Sequence, residues 1–116
     1  MWFGNLVTMK WWNDVWLKES FADYMSGVCI SECEELKNYK NSDLIFARFM
    51  DHSLSADIKS TTHPIVVNVK HTTDAVNAFD DICYEKGASF IKVLSNFIGR
   101  DALKAGTREY FAKFKF

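Results

Sequence analysis

Histidine and cysteine, the side chains whose spacing most readily betrays a metal or thiol site, are few in this sequence: His52, His63 and His71, and Cys29, Cys33 and Cys83. A metal site built from histidine or cysteine needs ligands at short fixed spacings, so that one helix face or one turn presents two of them together. None of the histidines has a second His or Cys at such a spacing, which favours loop or surface positions for all three. The cysteines form an odd set without a CxxC pair, and this argues against both a disulfide framework and a cysteine zinc site. Cys29 and Cys33 stand four apart and would share a helix face, where a pair of core thiols is expected more than redox chemistry.

Helical signals dominate the elements that would have to position any site, so the fold class expected is mainly α. Asn13 and Asp14 can cap a helix running through Val15, Glu19, Ala22 and Tyr24 towards Leu36, with Gly27 weakening it without ending it. Ser42 and Asp43 head a second helix, whose apolar positions Ile45, Phe46, Phe49 and Met50 keep helical spacing to about Ile58. Between 59 and 73, Thr61, Thr62, Pro64 and the alternating Val67 and Val69 predict extended or looped backbone. Asp74 opens a short helical turn through Ala78. A longer helix from about Tyr84 to Ile98 carries Ile91, Leu94 and Ile98 on one stripe and is stopped by Gly99. A last helix spans about Asp101 to Lys113, with Leu103, Tyr110 and Phe114 recurring along it.

A chain of 116 residues, 48% apolar and 25% charged, suits one small domain and is far from the composition of disorder. Its aromatic share of 16%, with four Trp and ten Phe, is more apolar surface than a free-standing domain of this size easily covers, which suggests missing neighbours. A formal charge of -1 with interspersed signs offers no stripe for a phosphate backbone, so nucleic-acid binding has no support. No apolar run approaches the roughly 20 residues a membrane span requires, and Trp2, Phe3 and Gly4 do not read as a signal peptide. The sequence assigns no compartment.

Residues 1–22, MWFGNLVTMKWWNDVWLKESFA, resemble the zinc aminopeptidases of the aminopeptidase N and puromycin-sensitive aminopeptidase family, a gluzincin group whose pattern is HExxHQWFGNxVTMxWWxxxWLxEgFA. In that pattern two histidines bind zinc, the glutamate between them is the general base, and a second glutamate completes the site. Laid on this chain, the second histidine falls immediately before residue 1, Met1 stands where the family has Gln, and Glu19 takes the third-ligand position. Two imidazoles and one carboxylate leave a fourth tetrahedral position open for water, as hydrolytic zinc requires. Without the motif, Glu19 would be read as a solvated helix carboxylate. Residues 79–89, FDDICYEKGAS, are similar to a second family segment whose tyrosine points into the active site. The resemblance makes Tyr84 the hydrogen-bond donor to the oxyanion formed when water attacks the peptide carbonyl. A half-buried core tyrosine is the ordinary alternative.

Other assignments are weaker. Gly87 inside a helix costs about 1 kcal/mol relative to alanine, so a close approach of another element is expected there. Trp11, Trp12 and Trp16 read as packing residues that fix the Glu19 helix, and Asp14 as a carboxylate behind the metal ligand. His63-Pro64-Ile65 resembles a family HPI segment with a structural role. The resemblance runs over nearly the whole chain. It implies one partial domain, residues 1–116, the helical part of a thermolysin-like zinc peptidase catalytic domain beginning just after the HExxH helix, with peptides as substrates and the other domains of the same protein as its missing neighbours.

The sequence itself contains neither HExxH nor the GxMEN segment with which the family holds the substrate's amine. The expectation is therefore that the intact parent is a zinc aminopeptidase, while this polypeptide alone neither retains zinc tightly nor hydrolyses peptides. A non-catalytic all-α binding module derived from the same scaffold is the second reading, and an unrelated all-α interaction domain the third.

Overall fold

The computed structural model describes residues 2–39 and 42–116, without the side chains from 37 to 42. Met1, read above against the family's Gln, lies outside them. Five α-helices carry the fold: α1 (Val15–Glu32), α2 (Ser42–Asp57), α3 (Thr72–Asn77), α4 (Gly87–Ile98) and α5 (Arg100–Phe114). Short turns join them, 3-10 in type at Trp12–Asp14 and Glu34–Tyr39 and π-helical at Ile82–Lys86, and a further π-type turn covers Trp2–Leu6. The only bridge among the described residues is an isolated one between Phe3 and Val7, and no strand forms among them. The mainly α expectation holds.

Helix boundaries differ from the sequence reading at the end of α1, at the start of α3 and at the start of α4, which begins at Gly87 after the π-helical turn rather than at about Tyr84. α1 stops at Glu32 instead of continuing towards Leu36, because Cys33 turns to extended backbone (φ -72°, ψ 120°), and the chain resumes as a separate 3-10 turn. Asp14 makes no side-chain cap. The Asn13 carboxamide is used elsewhere: its Oδ1 accepts the Val69 amide at 3.0 Å and its carbonyl accepts the Val67 amide at 3.4 Å, so a long-range partner wins over the local cap. α3 starts two residues early, at Thr72, since the Asp74 carboxylate already accepts the amides of Lys70 and His71.

Two apolar clusters hold the helices together, and α1 takes part in both. Tyr24 of α1 meets Phe46 of α2 and Ala88 and Ile91 of α4, with Phe21, Met25, Val28, Phe49 and Leu103 packed around them. Val15 meets Ala78 and Cys83, flanked by Met9, Trp16, Val67 and Tyr84. The Tyr24 hydroxyl and Ser95 Oγ hydrogen-bond at 2.9 Å in the interior, which pairs two polar groups that α1 and α4 would otherwise bury unsatisfied. The segment between α2 and α3 is extended as expected and lies along the turn before α1, where Trp11 Nε1 donates to the Val69 carbonyl at 3.1 Å. Gly99, at φ 89° and ψ 145°, separates α4 from α5 with a backbone conformation open to glycine and strained for other residues.

Candidate active site

The geometry starts from a close contact between α1 and the turn that enters α4. Ser20 is fully buried, and its Oγ donates to the Cys83 carbonyl at 2.8 Å. On the facing side stands Gly87, where an added Cβ would sit 1.8 Å from Ser20 Oγ, 2.7 Å from Ser20 Cβ and 3.1 Å from the Trp16 ring. The close approach expected at Gly87 is therefore met by Ser20, next to Glu19.

This contact brings Glu19 of α1 beside Tyr84 of the π-helical turn, although 65 positions separate them in sequence. The Tyr84 phenol stands within electrostatic reach of the Glu19 carboxylate. Burial and then the Glu19 charge push its pKa up to about 12, so the phenol keeps its proton, and its capacity to donate, throughout the neutral range. π-helical turns such as Ile82–Lys86 widen one turn of helix and are frequent at functional sites. The other Glu19 contact is local: the Lys18 ammonium hydrogen-bonds Oε1 and also lies 5.7 Å from the centre of the Phe79 ring.

One turn along α1 from Glu19, burial raises the pKa of Asp23, and the charges of Glu85 and Glu19 raise it further. Glu85, on the π-helical turn, meets His52 of α2, whose Nδ1 is 3.2 Å from Glu85 Oε1. Negative charge from Glu19, Asp23 and Glu85 is thus concentrated around the α1 and Tyr84 junction.

Zinc is the metal the resemblance implies, and the residues present meet its needs only in part. Among the described residues no group of three His, Cys, Asp or Glu side chains gathers closely enough to hold a metal ion. Glu19 can supply one oxygen ligand beside a phenol.

The remaining expectations fall as follows. His52 is exposed on α2 and His71 is exposed ahead of α3, both at the surface as expected. His63 is half-buried, with Nε2 2.8 Å from Asp80 Oδ2 and Nδ1 2.8 Å from the Pro64 carbonyl. The expected Cys29 and Cys33 core pair does not form: Cys29 is exposed, and Cys33 lies past the end of α1, where its thiol donates to Glu35. Buried Cys83 has its pKa pushed up to about 12 by burial and then by the charges of Glu19 and Asp80, which makes it a poor nucleophile. Asp14 is exposed. Trp16 packs on the second apolar cluster, and Trp12 meets the Phe79 ring edge-on.

Sequence reasoning missed Ser20 and Asp80. Asp80 carried a readable signal, an Asp just ahead of a helical run, which is the composition of a helix start. For Ser20 no local signal exists, because its partner lies 63 residues away.

Similarity to known proteins covers the whole chain. The family model described as the Peptidase family M1 domain matches residues 1–116. Leucyl aminopeptidase of Saccharolobus solfataricus is 40% identical over 115 residues, which are 99% of this chain and 14% of that protein. Aminopeptidase N of Streptomyces lividans is 40% identical over 117 residues, 100% of this chain and 14% of that protein. Endoplasmic reticulum aminopeptidase 1 of Homo sapiens is 38% identical over 112 residues, 97% of this chain and 12% of that protein. The chain thus spans about one seventh or less of the length of the curated relatives it matches.

Proposed function

The chain belongs to peptidase family M1, and from that premise we propose that residues 1–116 are one partial domain, the helical part of the catalytic domain of a zinc aminopeptidase of the aminopeptidase N and puromycin-sensitive aminopeptidase type. Its substrates are peptides, from which the intact enzyme removes N-terminal residues. Glu19 is the third zinc ligand, while the other two ligands and the general base belong to an HExxH helix outside this sequence. Zinc bound in such a set would polarise the carbonyl and acidify a water. Tyr84 holds its proton at the phenol oxygen and donates a hydrogen bond to the carbonyl oxygen as negative charge develops there, an interaction that strengthens only along the reaction path.

The observation that carries this reading is the pairing of Glu19 with Tyr84, each inside its own family-like segment and joined through the Ser20 and Gly87 contact. A non-catalytic binding module built on the same scaffold is the alternative. The broad exposure of Phe90, Val93 and Phe97 along α4 weighs against a finished small domain of that kind.

The test begins with the coding sequence upstream of Met1. An in-frame HExxHQ segment defines a longer polypeptide to be assayed for zinc content and aminoacyl-anilide turnover. In it, Glu19→Gln is expected to lose stoichiometric zinc, and Tyr84→Phe to keep zinc while kcat falls by roughly 10²- to 10³-fold, the usual cost of one oxyanion donor. A stop codon or unrelated sequence upstream would sink the parent-enzyme reading. The 116-residue chain by itself is expected to show no chelator-sensitive turnover.

A further inference from the structure

The Tyr84 turn is anchored at its start by a single carboxylate with two duties. Asp80 Oδ1 accepts the amides of Ile82 at 3.1 Å and Cys83 at 3.0 Å, and the Asp80 carbonyl accepts the Tyr84 amide at 3.0 Å. Its other oxygen, Oδ2, faces His63 Nε2 at 2.8 Å. The second ring nitrogen of His63 faces the Pro64 carbonyl, also at 2.8 Å.

A carbonyl oxygen and an ionised carboxylate can only accept hydrogen bonds. Both ring nitrogens of His63 must therefore carry hydrogen for both contacts to be bonds, and only the imidazolium has two N–H groups. The bond to the Pro64 carbonyl and the pairing with Asp80 both favour that charged form and raise the pKa of His63 above its ordinary 6.5, against burial and the nearby Lys86 charge, which lower it. The groups around it come from three elements: Asp80 ahead of the turn, Lys86 within it and Asp57 at the end of α2, where Asp57 itself takes hydrogen bonds from Lys86 and Thr62.

We propose that protonated His63 and Asp80 form a positioning pair that fixes the turn presenting Tyr84, and that loss of the His63 proton loosens this turn. Neutral imidazole keeps one N–H, so one contact becomes two acceptors facing each other. The tautomer that keeps hydrogen on Nδ1 gives up Asp80, which is then free to shift relative to the amides it caps, whereas the tautomer that keeps it on Nε2 gives up only the Pro64 carbonyl. The inference rests on Tyr84 being the reacting phenol only for its catalytic consequence, since the coupling between His63 and the turn is a property of this chain alone.

The experiment is an NMR titration of the 15N-labelled full chain from pH 5 to 9, following the imidazole nitrogens and the backbone amides of Ile82, Cys83 and Tyr84. The expected result is a doubly protonated His63 with a midpoint above 6.5, and amide shifts at 82, 83 and 84 that follow the same midpoint. In His63→Gln those three amides should become flat over this range, and in Asp80→Asn the His63 midpoint should fall towards 6.5. A neutral His63 at pH 6, or turn amides that ignore its titration in the unsubstituted chain, would overturn the proposal. The unsubstituted chain decides by itself if a variant fails to fold. Coupled amides alongside a harmless Tyr84→Phe in an active parent would retain the pair and remove only the catalytic role of the phenol, whereas flat amides with an inactive Tyr84→Phe would do the reverse.

Discussion

Glu19 and Tyr84 owe their proximity to the absence of one methyl group. Gly87→Ala drives a Cβ into Ser20 and the Trp16 ring, and the buried contact has little room to relax, so a loss of about 1–3 kcal/mol is expected from overpacking. Because the clash is mainly with one side chain, Ser20→Gly in the same chain should recover part of it. Urea unfolding of the two single variants and the double would show a double less destabilised than the sum of the singles, and strict additivity would deny the contact. Glu19 and Tyr84 could be named from the sequence only because each sits in a long motif. The contact that joins them could not, since a buried serine opposite a glycine 67 positions on leaves no periodicity.

Among the elements, α2, α4 and α5 were legible because their apolar residues recur at helical spacing over three turns or more. The π-helical register of Ile82–Lys86 was not. It depends on how the turn meets α1 and α2 and has no composition of its own. α1 starts where expected, after Asp14, but its side-chain cap was misread for a related reason, as Asn13 spends its carboxamide on Val69. The link between α4 and α5 offers a clean contrast of two glycines. Gly99 has positive φ, so Gly99→Ala is expected to cost about 1–3 kcal/mol of backbone strain although nothing stands in its way. Gly106, exposed inside α5 with open space around it, should gain about 0.5–1 kcal/mol on substitution by alanine. Thermal melts of both variants test the pair of signs. At the start of α3, the Lys70 and His71 amides hold Asp74 below the usual carboxylate range. A depressed folded pKa contributes stability above the unfolded value of 3.8 that is lost as pH falls through the folded one. Asp74→Ala should therefore melt below the unsubstituted chain at pH 7, and the two should converge near pH 2.

For the molecule as a whole, the unusual quantity is exposed apolar surface. Phe97 is 88% exposed and Phe116 90%, and an open cavity of about 790 Å³ lies between the Trp2–Leu6 turn, α1 and α5, lined by Phe3, Phe21, Met25, Leu103 and Phe111. Monomeric domains seldom leave faces of this extent uncovered. Phe97→Ser is expected to leave the melting temperature within the small range typical of surface changes while reducing self-association, read by light scattering against concentration. The aromatic excess hinted at this surface before any helix was placed.

Two buried hydrogen bonds that tie α1 to the second half of the chain also bear on how quickly this molecule forms. Ser20 reaches Cys83 across 63 residues and Tyr24 reaches Ser95 across 71, more than half of the chain in each case. Small helical proteins usually fold fast because their contacts are local, whereas here the central helix cannot dock until the chain has closed loops of that length. On a ribosome α1 would emerge before α4 and wait, its core residues Val15 and Tyr24 uncovered, until α4 had been synthesised. Docking of the central helix in this mainly helical chain accordingly depends on long-range contacts, and its most aggregation-prone interval is expected between the synthesis of Glu32 and of Ile98.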